Sequence, residues 1–224
     1  MTAFHFGSPQ RRLFGYYEPA QANVSSVQAA LLCHPTGNEQ VFAYRTMRQL
    51  AARLVRAGFH VLRFDYFGTG DSYGDTGEGD LVSWCDDIET AIEELKEISG
   101  AAKVDVVGLR VGANLSARVA FQRPKEINKL VLWEPLTADE LAVATCGCST
   151  SDVVKDFARN AISSKAALLP PSTLLLLTAG PPSPIEFGSL AAQYVADAPA
   201  WIEGRLTTGS IPAEVLQRIV EWLQ

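Results

Sequence analysis

The sequence predicts an α/β fold with a mostly parallel central sheet. Three observations lead there. Short β-branched or leucine-rich runs alternate with stretches of helical period. The runs are continuously apolar, as in strands buried on both faces. The helical stretches close on glycine at Gly58 and Gly100, a common way for a helix to end.

The elements follow in order. Phe4-His5-Phe6 and Leu13-Phe14-Gly15-Tyr16-Tyr17 fit an antiparallel pair at a sheet edge. Val27 to Cys33 reads as a strand, followed by an amphipathic stretch from Phe42 to Ala57. Phe59 to Phe64 is the next strand, and a glycine-rich loop then leads to a helix from Leu81 to Ile98. Val104 to Val107 turns sharply through Gly108-Leu109-Arg110-Val111-Gly112 into a helix that reaches Phe121. Lys129 to Trp133 and Thr173 to Leu177 are apolar runs too short for helices. Between them, residues 136–171 read as a small lid, with a helix from Ser151 to Ile162 capped by Ser151 or Asp152. A strand near Trp201 to Leu206 and a helix from Ala213 to Leu223 complete about eight strands in one domain spanning residues 1–224.

Composition excludes several classes of partner. The 224 residues carry a formal charge of −6 with Lys and Arg scattered, which gives no footprint for a phosphate backbone and argues against nucleic acid. The start has no basic stretch leading into an apolar one. No run approaches the ~20 apolar residues of a membrane helix, so the expected setting is cytoplasmic without membrane association. Cys33 and Cys85 stand alone, and Cys146-Gly147-Cys148 is too closely spaced for a zinc knuckle and has no histidine nearby. Neither metal nor cofactor is expected.

The strand ending in Cys33-His34-Pro35, the run from Val61 to Ser72 (VLRFDYFGTGDS) and the strand-Gly108-x-x-x-Gly112-helix turn together resemble the α/β-hydrolase superfamily. Within it, the chain looks like the small serine-aminopeptidase-like branch that includes the exosortase A system-associated hydrolases. The resemblance is motif-specific from about residue 27 to 135 and rests on element order beyond. It implies a bacterial setting and a nucleophile elbow, G-x-S-x-G, at Gly108 to Gly112. Here Arg110 holds the serine's place, and a guanidinium cannot attack an acyl carbon. The family's base is a histidine after the last strand, yet the histidines are His5, His34 and His60. The family's acid follows the strand Thr173–Leu177, where no carboxylate precedes Glu186. Serine hydrolysis is therefore not expected.

What remains is a candidate binding site. Arg110 would stand at a helix N-terminus, whose free N–H groups suit an anion. The loop His34-Pro35-Thr36-Gly37 holds the family's oxyanion-hole position. Glu134 ends the neighbouring strand and reads as a displaced acid or as the ion-pair partner of Arg110. Arg110, His34 and Glu134 are the candidate catalytic residues, with Thr36, Gly37, Leu109 and Val111 lining the ligand. The ligand class is a small molecule with a carboxylate or carbonyl group, and the chemistry is of a kind without a covalent intermediate: cyclisation, isomerisation or decarboxylation. Two alternatives stay open. An Arg110–Glu134 pair could close the pocket and leave a scaffold for a protein partner, or hydrolysis could persist through Ser72, Cys146 or Cys148. Asp65, Asp71 and Ser72 are expected to brace their turn, which lacks the Lys-Ser/Thr ending of a phosphate loop. Asp86, Asp87, Glu89, Glu93, Glu94 and Glu97 are expected on a solvated helix face.

Overall fold

The computed structural model describes residues 1–21, 26–144, 150–159, 162–178, 190, 192–197, 201 and 211–224. Its core is an eight-stranded sheet in the order β1-β2-β4-β3-β5-β6-β7-β8. The strands β1 (Thr2–Ser8) and β2 (Arg11–Glu18) form the expected edge hairpin, and β2 runs antiparallel to β4 (Phe59–Phe64). From β4 onward every pairing is parallel, through β3 (Gln28–Cys33), β5 (Val104–Leu109), β6 (Ile127–Trp133), β7 (Thr173–Leu177) and β8 (Ala192–Tyr194). This is the α/β-hydrolase architecture.

Four helices cover the sheet. The helices α1 (Asn38–Arg56) and α7 (Ala213–Leu223) bury Met47, Leu50, Leu54, Leu216 and Ile219 on one face. On the other, α2 (Leu81–Ser99) and α3 (Val111–Gln122) bury Ile88, Ile92, Leu115 and Val119. Each fully buried aliphatic side chain contributes about 1.5–3 kcal/mol of transfer free energy, so both faces are committed. Among the described residues, no helix is long and apolar enough to cross a membrane.

The differences from the sequence reading have local causes. α1 begins four residues before Phe42, because Asn38–Val41 show no apolar period although they continue the helix. The expected strand from Trp201 is not seen at its start: Trp201 lies in a turn, and 202–206 fall outside the described residues. The place beside β7 is taken by β8, three residues of mixed polarity. Asp87 is not on the solvated face of α2. It is buried and accepts from Arg11 Nε at 2.7 Å, Arg11 Nη2 at 3.0 Å and the Phe67 N–H at 2.9 Å. Residues 136–171 carry α4 (Ala138–Ala144), α5 (Ser151–Arg159), α6 (Ile162–Lys165) and a 3₁₀ turn at Ala166–Leu168.

This order places a switch point in the sheet. The chain leaves β3 for β4 on one side and returns to β5 on the other, so strand order reverses between β3 and β5. Open α/β sheets bind ligands at the carboxyl ends of the strands at such a point. His34 follows β3 there, and Arg110 follows β5.

Candidate functional site

The turn from β5 to α3 keeps the backbone of a nucleophile elbow. Arg110 has φ 55 and ψ −122, in a region that favours glycine and costs other residues roughly 1–3 kcal/mol. Its N–H donates to the Trp133 carbonyl at 3.0 Å, and its carbonyl accepts from Ala113 N–H at 2.9 Å. Close packing holds the turn. A Cβ on Gly108 would meet the backbone of Gly112 and Ala113, and one on Gly112 would run into the carbonyl oxygens of Cys33 and His34. The elbow therefore leans directly on the end of β3.

The Arg110 side chain is largely buried, with 12% exposed. Its Nε donates to Glu39 Oε1 at 3.2 Å and Oε2 at 3.4 Å, its Nη2 lies 3.6 Å from Glu140 Oε1, and its guanidinium sits 5.1 Å from the Trp201 ring centre. Glu39 comes from the first turn of α1 and Glu140 from α4. Glu140 is anchored by its other oxygen, which accepts from the Thr137 N–H at 2.9 Å and the Thr137 hydroxyl at 3.0 Å. Asn114 of α3 fixes the start of this segment by exchanging two hydrogen bonds with the backbone of Leu136, at 2.9 and 2.8 Å.

The two carboxyls are tuned in opposite directions. Burial pushes Glu39 above its ordinary value, further than Arg110 pulls it down. Burial also opposes ionisation of Glu140, but the Thr137 N–H and Arg110 outweigh it and leave that carboxyl below the usual range.

A pocket of about 490 Å³ lies over the elbow. Of the residues expected from sequence, Thr36, Gly37, Arg110 and Val111 line it. Gly37 has φ 61 at the start of α1, and Val111 opens α3, so its N–H is one of those a helix leaves without an internal acceptor. The other three are elsewhere. Leu109 is fully buried on the α1 side of the sheet among Leu32, Val131 and Trp133. Glu134 does not pair with Arg110 in the expected way: its Oε2 accepts from the Thr178 N–H at 2.7 Å and the Thr178 hydroxyl at 3.2 Å, tying the ends of β6 and β7. His34 is 3% exposed and faces a separate cavity, with burial and the nearby Arg63 pushing its ring down to about 3. Glu39, Glu140 and Asp139 line the pocket and were not anticipated. Glu39 stands two residues after Gly37, but with the helical period legible only from Phe42 its place in the first turn of α1 was not visible. Nothing in the sequence of α4 points Glu140 at residue 110.

The remaining motif residues are structural. Ser72 accepts from the Phe14 N–H at 2.8 Å and donates to the Asp65 carbonyl at 2.5 Å, and the Asp65 carboxylate accepts from Gln40 at 2.8 Å and the Asp71 N–H at 3.1 Å. These bonds brace the turn as expected. Cys33 is buried and its thiol is pushed up to about 12 by that burial, and Cys85 is pushed higher still for the same reason. Cys146, Cys148 and residues 179–189, where the family's acid is sought, lie outside the described residues.

Residues 26–174 match the family described as serine aminopeptidase, S33. The chain belongs to this family. Solved structures resemble it over nearly its whole length. Est1E from Butyrivibrio proteoclasticus, with ferulic acid bound, is 16% identical at a TM-score of 0.66, covering 97% of this chain and 99% of its own. The Pyrococcus furiosus esterase Pf2001 is 19% identical at 0.66, covering 99% and 91%. A serine hydrolase homologue from Coxiella burnetii is 18% identical at 0.58, covering 97% and 96%. At these identities the S33-type chain shares the α/β-hydrolase fold with them. No curated protein matches it in sequence.

Proposed function

We propose that this S33-family chain has left serine hydrolysis and uses the pocket over its elbow to recognise a small, neutral, carbonyl-bearing molecule. The observation that carries the reading is Arg110 itself: a guanidinium stands on the strained elbow backbone, held by Glu39 and Glu140. The missing histidine beyond residue 60 supports the loss of the triad. So does the occupation of Ser72 in bracing its turn. Within the family we place the chain near the exosortase A system-associated hydrolases, on its Cys33-His34-Pro35 loop and the run from Val61 to Ser72.

The electrostatics narrow the ligand. Arg110 shares the pocket lining with Glu39, Asp139 and Glu140, so carboxylates are in surplus. A free carboxylate would have to displace one of them, whereas an ester, lactone or ketone oxygen can sit between Arg110 and the Val111 N–H without that cost. Glu39, with its raised carboxyl, is the group best placed to take a proton from the carbon beside such a carbonyl and return it, an isomerisation in which Arg110 steadies the enolate oxygen. A closed scaffold is less favoured, because Arg110 is drawn towards Glu39 and Glu140 and a pocket of about 490 Å³ remains.

The test is ligand-observed NMR against paired neutral carbonyls and their matching acids, run beside fluorophosphonate labelling. The neutral members bind the parent chain, Arg110→Ala weakens them about tenfold or more, as for loss of one charged hydrogen bond, and the probe does not label. Stoichiometric labelling that a ligand blocks, or tighter binding of the acids, would overturn the proposal.

A further inference from the structure

A second pocket, of about 560 Å³, lies across the first turn of α1 from the one over Arg110. That volume is in the range that takes up most of a small organic molecule. The turn divides the two: Glu39 lines the pocket over the elbow, whereas Gln40, Val41 and Tyr44 line the other. Among the described residues Gly37 alone lines both. It carries no side chain, and a Cβ there would meet no atom beyond its chain neighbours within 4 Å, so the passage over the helix tip is open.

The far pocket presents apolar surface that the core does not use. α1 turns Ala43, Met47, Leu50 and Leu54 inward, yet Val41 and Tyr44 stand outside at 61% and 44% exposure. A single exposed apolar residue needs no explanation, but these two are neighbours on the helix, three residues apart, and border the same pocket. The Tyr44 ring is steadied by the Arg63 guanidinium, 5.8 Å from its centre. Gly68 and Gly70 add only backbone to the wall. The charged groups of the described lining are both carboxyls, Asp65 and Asp71. Asp65 already accepts from Gln40 and the Asp71 N–H, which leaves Val41 and Tyr44 as the main contact surface.

We propose that the ligand of the elbow has two parts: its carbonyl rests between Arg110 and the Val111 N–H, and an aromatic arm crosses Gly37 to lie on Val41 and Tyr44. The assignment rests on the reading of the elbow pocket as a carbonyl site. The arm is aromatic because a ring meets the Tyr44 ring in an offset or edge-on contact and covers Val41 with the same plane. It carries no negative charge, because Asp65 and Asp71 face it. The bare Cα of Gly37 lets the two parts belong to one molecule.

Ligand-observed NMR titration of the full chain tests this, with butanone as the armless member and methyl ketones that carry phenyl or carboxyphenyl on a short methylene chain. The readout is the ratio of the two dissociation constants within each variant, which cancels what a substitution does to the carbonyl end. In the parent the phenyl ketone binds about tenfold or more tighter than butanone, as for burial of one side-chain-sized apolar group, and the carboxyphenyl ketone shows no such gain. Val41 and Tyr44 are exposed, so their variants keep the fold. Val41→Asp, near the start of α1 where an acid is tolerated, removes the gain, and Tyr44→Ala cuts it about threefold or more. Val143→Asp, on the exposed rim of the pocket over Arg110, leaves the ratio unchanged. A phenyl ketone no tighter than butanone, a gain that survives Val41→Asp, a gain lost in Val143→Asp instead, or a dimer of the chain that Val41→Asp dissociates would each overturn the two-part ligand, while weaker butanone binding in Arg110→Ala keeps the carbonyl site. If Arg110→Ala weakens neither ketone, the carbonyl reading fails and the arm fails with it.

Discussion

Replacing Arg110 by glycine and by alanine isolates the strain stored in the elbow. Both variants lose the guanidinium and its contacts with Glu39, Glu140 and Trp201, so those contributions cancel in the comparison. What differs is the Cβ. At φ 55 and ψ −122 the Cβ costs roughly 1–3 kcal/mol. Glycine returns about 0.4–1 kcal/mol through the greater freedom of its unfolded chain. The expected balance is that Arg110→Gly is more stable than Arg110→Ala by about 1–2 kcal/mol. For a chain of this size that is roughly 2–8 °C in Tm. The sign is opposite to that at an ordinary helical site, so Glu93 on the exposed face of α2 is the control: there alanine is better than glycine by about 1 kcal/mol. Urea unfolding of the four variants, compared at equal m-value, reads both differences. If alanine at 110 proves as stable as glycine, the backbone is not under strain and the elbow is an ordinary turn.

Three further outcomes follow from buried contacts. Gly112→Ala drives a Cβ into the Cys33 and His34 carbonyls, backbone atoms that cannot rotate away, and costs about 3 kcal/mol or more, seen as a collapse of the urea midpoint or loss of soluble protein. Asp80→Ala removes the reciprocal cap with Ser83, whose N–H donates to Asp80 at 2.7 Å, and lowers stability by about 1 kcal/mol, measurable as a fall in Tm. Asp105, buried beneath Asn128 and the Lys129 N–H, has its carboxyl raised mainly by desolvation. A raised carboxyl binds its proton more tightly in the native state, so the stability it adds is complete below the unfolded value near 3.8 and is lost as pH rises through the folded value. The parent's advantage over Asp105→Asn therefore shrinks between pH 4 and pH 7; an advantage that grows with pH contradicts the desolvation argument.

Much of the fold was legible because each parallel strand is buried on both faces and so reads as an unbroken apolar run, as in Thr173–Leu177 and Phe59–Phe64, whose limits coincide with the structure. β8 escaped notice because three residues of mixed polarity carry no period. At the site, Arg110 was visible because the glycines around it are dictated by close backbone approach, a local constraint. Its partners were not visible. Glu39 and Glu140 reach it from α1 and α4, and such convergence depends on how helices settle on the sheet. Glu134 was adjacent by strand order, but strand order does not say which way a side chain turns, and the Thr178 backbone offered it a donor.

The contact of Gly112 with the end of β3 has a consequence for how this site can diversify. Because the elbow and the loop after β3 are locked backbone to backbone, neither can shift without the other, and exchanges of side chains there are confined to what the fixed frame admits. α4 is joined to that frame through Asn114 and Glu140. The lining of the pocket is thus easiest to change by rewriting α4 and the first turn of α1, while the strained frame is inherited unchanged.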